Sequence, residues 1–218
     1  MEPEPQAIGT GNPEHVGDTT GWWILIRSGL PPVADAALAT FGLLLSAPLL
    51  AVAAIAIRLE TRGPPIYRQQ RVGIGGSRFP MFKLRTMVIG SDPTPEEVWE
   101  PLVEGDPRVT RVGAVLRRLS LDEVPNLVNV LRGEMAIVGP RPTITEQVEQ
   151  YTPRQRRRLE VKPGITGWAQ VNGRGSLSWE ERIELDVWYV DNRSLALDLR
   201  ILARTVRLIL SGKGLYEG

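Results

Sequence analysis

The stretch AALATFGLLLSAPLLAVAAIAI, residues 36–57, holds 22 residues without one charge, and Pro48 sits just past its middle. As a straight helix it would be about 33 Å long, close to the roughly 30 Å hydrocarbon thickness of a bilayer. Proline removes a backbone donor and clashes with the preceding turn. The stretch is therefore expected to fold as helix, break, helix, each half too short to span alone. Two geometries stay open: a kinked span, or a hairpin that enters and leaves through one membrane face. Backbone freed at depth needs partners, and the hydroxyls of Thr40 and Ser46 are candidates. The competing reading is a buried core helix. Membrane contact is favoured, because soluble core helices are rarely apolar on every side for this length.

The flanks fit a membrane setting. Trp22 and Trp23 precede the stretch, where interfacial aromatic anchors sit. Residues 61–91 contain no acid but carry Arg62, Arg68, Arg71, Arg78, Lys83 and Arg85. A basic block directly after an apolar segment fits the cytoplasmic side of a membrane, and equally an anionic substrate. The net charge of +1 gives no global field for nucleic acid. The absence of cysteine excludes disulfides and thiolate metal sites. The single histidine, His15, lies in a polar N-terminal segment, so a histidine-based triad or zinc site has no support. Residues 1–20 are rich in Pro, Gly, Glu and Thr without periodicity and are expected to be disordered. They lack the positive region and short apolar core of a signal peptide. The chain thus divides into a disordered segment (1–20), a membrane element (21–60) and a globular domain (61–218).

The expected fold class is α+β, mostly helical. Strand-like pieces within residues 66–87 flank a turn at residues 73–76. Residues 92–107 read as an acidic, proline-rich surface loop, 109–119 as a short helix and 120–131 as a second. Ile137 and Val138 form an apolar patch before the rigid Gly139-Pro140-Arg141-Pro142. Residues 146–160 and 178–190 read as helices, with a turn-rich stretch between them. The last helix, 195–210, places Arg200, Arg204 and Arg207 on one face. It fits a helix lying flat on a membrane with its cations up, or an ordinary helix on a core.

Ser120-Leu121-Asp122-Glu123 is the sharpest local feature. One reading is a capping box, Ser120 capping and Glu123 bonding back to its amide, with Pro125 near the helix start. The other is chemical. Adjacent carboxylates at a helix N-terminus sit in a positive field that favours ionisation. An ionised aspartate there can attack phosphorus or hold Mg²⁺. Arg117 and Arg118 lie upstream, and Arg141 is held between two prolines. Lys83 and Arg85 alternate along an expected strand and so point to one side. Phosphoryl transfer needs such fixed cations around the transferred group.

Arg117 to Pro142, reading RRLSLDEVPNLVNVLRGEMAIVGPRP, resembles the core of the bacterial sugar transferases, the monotopic polyprenyl-phosphate phosphoglycosyl transferases. The resemblance continues in FKLRTM (82–87), DPRVTRVG (106–113), KPGITGWAQVNGR (162–174) and ELDVWYV (184–190), and covers the chain from about Asp35 onward. It is to the small form, without extra membrane helices before the core. It implies transfer of a sugar-1-phosphate from a UDP-sugar to a membrane polyprenyl phosphate such as undecaprenyl phosphate, with release of UMP. That is the first membrane step of polysaccharide assembly at the cytoplasmic face of the bacterial inner membrane. Asp122 is then the nucleophile, forming a covalent phosphosugar adduct. Glu123 is the supporting carboxylate, and Mg²⁺ bridges Asp122 and the diphosphate. Lys83, Arg85, Arg117 and Arg141 are the expected phosphate-facing cations, and Arg174 a candidate toward nucleotide or sugar.

The resemblance also implies a re-entrant element, with Asp35 at its start and the break at Pro48. Two positions depart from the pattern. Pro31 and Pro32 stand where a basic pair is usual, leaving Arg27 as the candidate headgroup contact. Ala47 stands where serine usually precedes the proline, leaving Ser46 one residue early. Membrane lipids and downstream glycosyltransferases are the further expected partners. Two other functions compete. A catalytically inactive, membrane-anchored scaffold would break the Asp-Glu or Gly-Pro-Arg-Pro block, and both are intact. A single-pass nucleic-acid-binding protein would need a domain-wide basic excess and aromatic stacking residues, which the composition does not supply.

Overall fold

The computed structural model describes residues 29–91, 105–173 and 177–211. The expected N-terminal disorder, Trp22, Trp23, Arg27, Arg174 and most of the acidic loop lie outside the described residues.

Helix α1, Pro32–Glu60, is 29 residues long and begins with proline at its first position, where the missing N–H costs nothing. It would measure about 44 Å. It runs through Pro48 without interruption, so the expected helix-break-helix is not what the chain adopts. A single stripe explains the continuity. Asp35, Ala39, Ser46, Leu50, Ala53 and Ile57 recur at helical spacing and face the globular body on both sides of Pro48, which itself is exposed. Packing of both halves onto one surface outweighs the single backbone bond the proline removes. The two hydroxyls also serve other turns than expected. Ser46 donates to Gly42 O at 2.6 Å and Thr40 to Ala36 O at 2.8 Å, whereas Pro48 frees the carbonyl of Leu44. The outer side stays apolar, with Phe41, Leu44, Leu45, Val52 and Ile55 each well exposed.

Strands β1 (Ile66–Val72) and β2 (Arg78–Leu84) form an antiparallel hairpin with Tyr67 opposite Lys83. Its turn needs Gly75 and Gly76, at φ 62° and 84°. Helix α2 (Arg111–Arg118) is capped by Thr110, whose hydroxyl accepts from Gly113 N at 2.9 Å. A 3₁₀ turn, Leu121–Asn126, passes directly into α3, Leu127–Leu131. Strand β3 (Ala136–Val138) pairs in parallel with β4 (Gly164–Thr166). Between them lie α4 (Thr145–Glu149) and α5 (Pro153–Arg156), the latter opened by a capping box on Thr152 and Gln155. After β4 come α6 (Trp168–Val171), α7 (Trp179–Asn192) and α8 (Leu195–Leu210). The described residues are thus mostly helical, with two small sheets.

One core cluster joins Leu30 and Ala39 at the start of α1 to Phe79, Met81, Val130, Ile137, Val138, Tyr189 and Ile201. A second joins Ala53 and Ile57 near its end to Leu84 and Leu116. Each fully buried aliphatic contributes roughly 1.5–3 kcal/mol, so α1 is fastened at both ends to one body. Polar ties repeat the pattern. Asp35 Oδ1 accepts from Ile137 N at 3.1 Å, and Asp198 accepts from Leu30 N and the Tyr189 hydroxyl, each at 2.7 Å. In α8, Leu199, Val206 and Leu210 are exposed. Its three arginines do not act alike. Arg204 is drawn over the Trp168 ring at 5.0 Å and donates to Asn172 Oδ1, while Arg200 and Arg207 stay in solvent.

Candidate active site

Asp122 and Glu123 sit on the 3₁₀ turn, immediately after Ser120. Ser120 holds φ 55° and makes no side-chain cap; it is the only non-glycine residue with positive φ among those described. The capping box expected here therefore does not form. Glu123 is turned away from the Ser120 amide because two cations claim it. Its carboxylate accepts from Lys83 Nζ at 2.9 Å and from Arg141 Nη2 at 2.7 Å. Lys83 reaches it from β2, and Arg141 from the Gly139–Pro142 segment after β3.

Both carboxylates are buried, at 6 % and 9 % exposure, and their environments drive them apart. Burial, then the charge of Glu123, pushes the Asp122 carboxyl above its ordinary range, with Lys83, Arg117 and Arg141 opposing. Burial would also raise Glu123, but Arg141 and Lys83 outweigh it and hold the carboxyl well below the usual range. Neighbouring acids pushed in opposite directions are a mark of divided chemical roles. Glu123 is a permanently charged strut. Asp122 Oδ1 is buried and has no hydrogen-bond partner, so Asp122 is the less engaged of the two carboxylates.

The two line a cavity of about 470 Å³, together with Tyr67, Arg71, Lys83, Thr86, Arg117 and Arg141. Arg117 Nε donates to Thr86 Oγ1 at 2.7 Å. Pro64, Ile66, Met87, Val88 and Ile89 give the cavity an apolar lip. Lys83, Arg117 and Arg141 thus stand around Asp122. Arg118 is exposed and outside the cavity. Arg85 also lines the cavity, with its guanidinium engaged at the end of α1. It lies one residue beyond β2, and its guanidinium donates to Thr61 Oγ1 at 2.8 Å and to the Thr61 and Arg62 carbonyls, both at 3.1 Å. Those carbonyls leave α1 without helical partners, and the Arg85 guanidinium supplies the missing donors.

Arg71 stood out in the sequence only as one cation of the basic block, with no site role of its own. It is on the same β1 face as Tyr67 and Gln69, lines the cavity, and donates to Gln69 Oε1 at 2.5 Å. Polar residues at alternate positions on the half-buried side of a strand were the available signal. Asp186 and Arg158 were also unassigned. They form a buried ion pair, and Arg158 also donates to Arg141 O at 2.9 Å. Burial pushes the Asp186 carboxyl up to about 6, with Arg158 opposing. This pair fixes the backbone beneath Arg141. Glycines fix it from the other side, because a Cβ on Gly164 would sit 2.1 Å from Gly139 N, and one on Gly167 2.1 Å from Gly139 O.

The chain matches the family model described as bacterial sugar transferase over residues 27–212, and it belongs to that family. It is 47% identical over 161 residues to an uncharacterized sugar transferase, EpsL, of Bacillus subtilis, covering 74% of this chain and 77% of that protein. It is 44% identical over 199 residues to the UDP-glucose:undecaprenyl-phosphate glucose-1-phosphate transferase of Caulobacter vibrioides, covering 88% and 72%. It is 42% identical over 166 residues to the undecaprenyl-phosphate galactose phosphotransferase of Salmonella typhimurium, covering 71% of this chain but 35% of that longer protein.

Proposed function

We propose that this sugar transferase moves a sugar-1-phosphate from a UDP-sugar to a polyprenyl phosphate, undecaprenyl phosphate by analogy with the relatives, through a covalent adduct on Asp122. The observation that carries the reading is that Asp122 lines one cavity with the cations Lys83, Arg117 and Arg141. In the first step an Asp122 oxygen attacks the phosphorus that bears the sugar. The acyl-phosphate bond forms as the bond to the UMP oxygen breaks, and UMP departs. In the second, an oxygen of the polyprenyl phosphate attacks the same phosphorus, and the Asp122 carboxylate is regenerated. Arg117, Lys83 and Arg141 offset charge on the transferred group. Glu123 keeps two of those cations aimed.

The donor set fits Mg²⁺ arriving with its substrate. Among the described residues no three His, Cys, Asp or Glu gather as a cage. Mg²⁺ commonly takes only one or two carboxylates, completing its shell with phosphate oxygens and water. Asp122 would hold it, and the ion would neutralise the diphosphate.

The exposed apolar face of α1 supports membrane attachment. Because α1 packs along its length onto the globular body, from Ala39 near its start to Ile57 near its end, a span would carry that body into the hydrocarbon, so the helix does not suit one. It fits an element embedded from one side, with the catalytic body at the cytoplasmic face of the inner membrane. A covalent relay suits that placement, since donor and acceptor need never be seated together. The test is incubation with UDP-glucose or UDP-galactose without acceptor. One equivalent of UMP and a sugar-phosphate adduct on Asp122 are expected by mass spectrometry. UMP release that strictly requires lipid phosphate would favour direct displacement.

A further inference from the structure

Glu60, the last residue of α1, sits outside the cavity, yet it holds the segment that carries Asp122. Its Oε1 accepts from Arg111 N at 2.7 Å and its Oε2 from Val112 N at 2.9 Å. These are first-turn amides of α2, which α2 itself leaves unpaired, and a carboxylate there also meets the positive end of the helix. Thr110 takes the next amide, so three successive donors are satisfied from outside the helix. Below this point α1 and α2 are packed through Ala53, Ile57 and Leu116, with Leu84 between them. A Cβ on Gly113 would lie 2.0 Å from Thr86 O, so α2 has no room to slide on its neighbour. From the end of α2 only Leu119, Ser120 and Leu121 intervene before Asp122.

We infer that Glu60 is a positioning residue that fixes the height of Asp122 relative to the membrane helix. The inference rests on the aspartyl relay proposed above. A soluble UDP-sugar reaches Asp122 whatever its height over the bilayer. A polyprenyl phosphate does not, because its phosphate is confined to headgroup depth. Loosening the α1–α2 tie therefore slows discharge of the adduct and spares its formation. Displacement of about 1 Å at a reacting centre costs up to about a hundredfold in rate.

The experiment uses the full chain in lipid nanodiscs, comparing wild type with Glu60→Gln and Glu60→Ala. In both variants the acceptor-independent release of UMP should stay within about twofold of wild type. Discharge by undecaprenyl phosphate should fall about tenfold or more. Discharge by a short, water-soluble prenyl phosphate should be unchanged. A parallel fall in both half-reactions would reduce Glu60 to a structural cap and overturn the inference, as would no change in either. If wild type itself shows no acceptor-independent UMP, the relay fails instead. Glu60 is then judged by the ratio of turnover on the long-chain to the soluble acceptor: a lowered ratio in the variants upholds its role, and an unchanged ratio ends it.

Discussion

Asp122 and Glu123 are neighbours in sequence with opposite electrostatic fates, and this makes them separable by substitution. Asp122→Asn should abolish turnover and leave no adduct. Because the Asp122 carboxyl is raised above its ordinary 3.8, its ionised form, the one proposed to attack, is lost as pH falls through that higher value. The acid limb of kcat/KM should therefore lie above the usual aspartate range. Glu123→Gln removes a repelling charge and turns Lys83 and Arg141 toward Asp122, so the limb should move to lower pH even as the rate drops. A limb that stays fixed would show that Asp122 does not report it. The sequence exposed this pair through the blocks that resemble the sugar transferases, since spacing alone left a capping box equally open. It showed Arg71 only as one of six cations in the basic block, since strand alternation becomes a site signal only once the buried side is known. Arg85 lines the same cavity as Lys83, as its i, i+2 spacing suggests, but the strand ends at Leu84 and bare helix-end carbonyls engage its guanidinium, which the sequence does not show.

At the scale of elements, the long helix and the turn around Arg141 depend on different contacts. Ala39 has no exposed surface, so Ala39→Leu should overpack the α1 seam and cost about 1–3 kcal/mol, read by denaturant unfolding in detergent. Removing one partner of the Arg158–Asp186 pair leaves a buried charge alone, so Asp186→Leu should cost about 3–5 kcal/mol. The double variant Arg158→Met/Asp186→Leu should recover much of that stability. Its activity should stay low, because the donor to Arg141 O is gone. The apolar run, the hairpin and the last helix were legible from periodicity. The path through Pro48 was not, since local sequence reports the lost backbone bond but not the surface that compensates for it. Nor was the 3₁₀ geometry at Asp122, where the reach of Lys83 and Arg141 decides the outcome over the capping propensity of Ser120.

For the whole molecule, the governing fact is that α1 begins and ends on one body. The chain lacks cysteine, so single-cysteine variants need no background changes. Ser28→Cys and Ser91→Cys, flanking α1 and the hairpin, should both react with an impermeant maleimide from the cytoplasmic side of inverted vesicles. Labelling from opposite sides would establish a span and contradict the one-sided anchor. The family match reaches from residue 27 to residue 212, and the elements it joins form interlocking cores rather than a catalytic unit hung from a tether. The buried Arg158–Asp186 brace has a bearing on redesign. It is buried and does not line the cavity, whereas Ile66, Met87 and Ile89 do. The lip can then be reshaped by substitution without disturbing the backbone that carries Arg141.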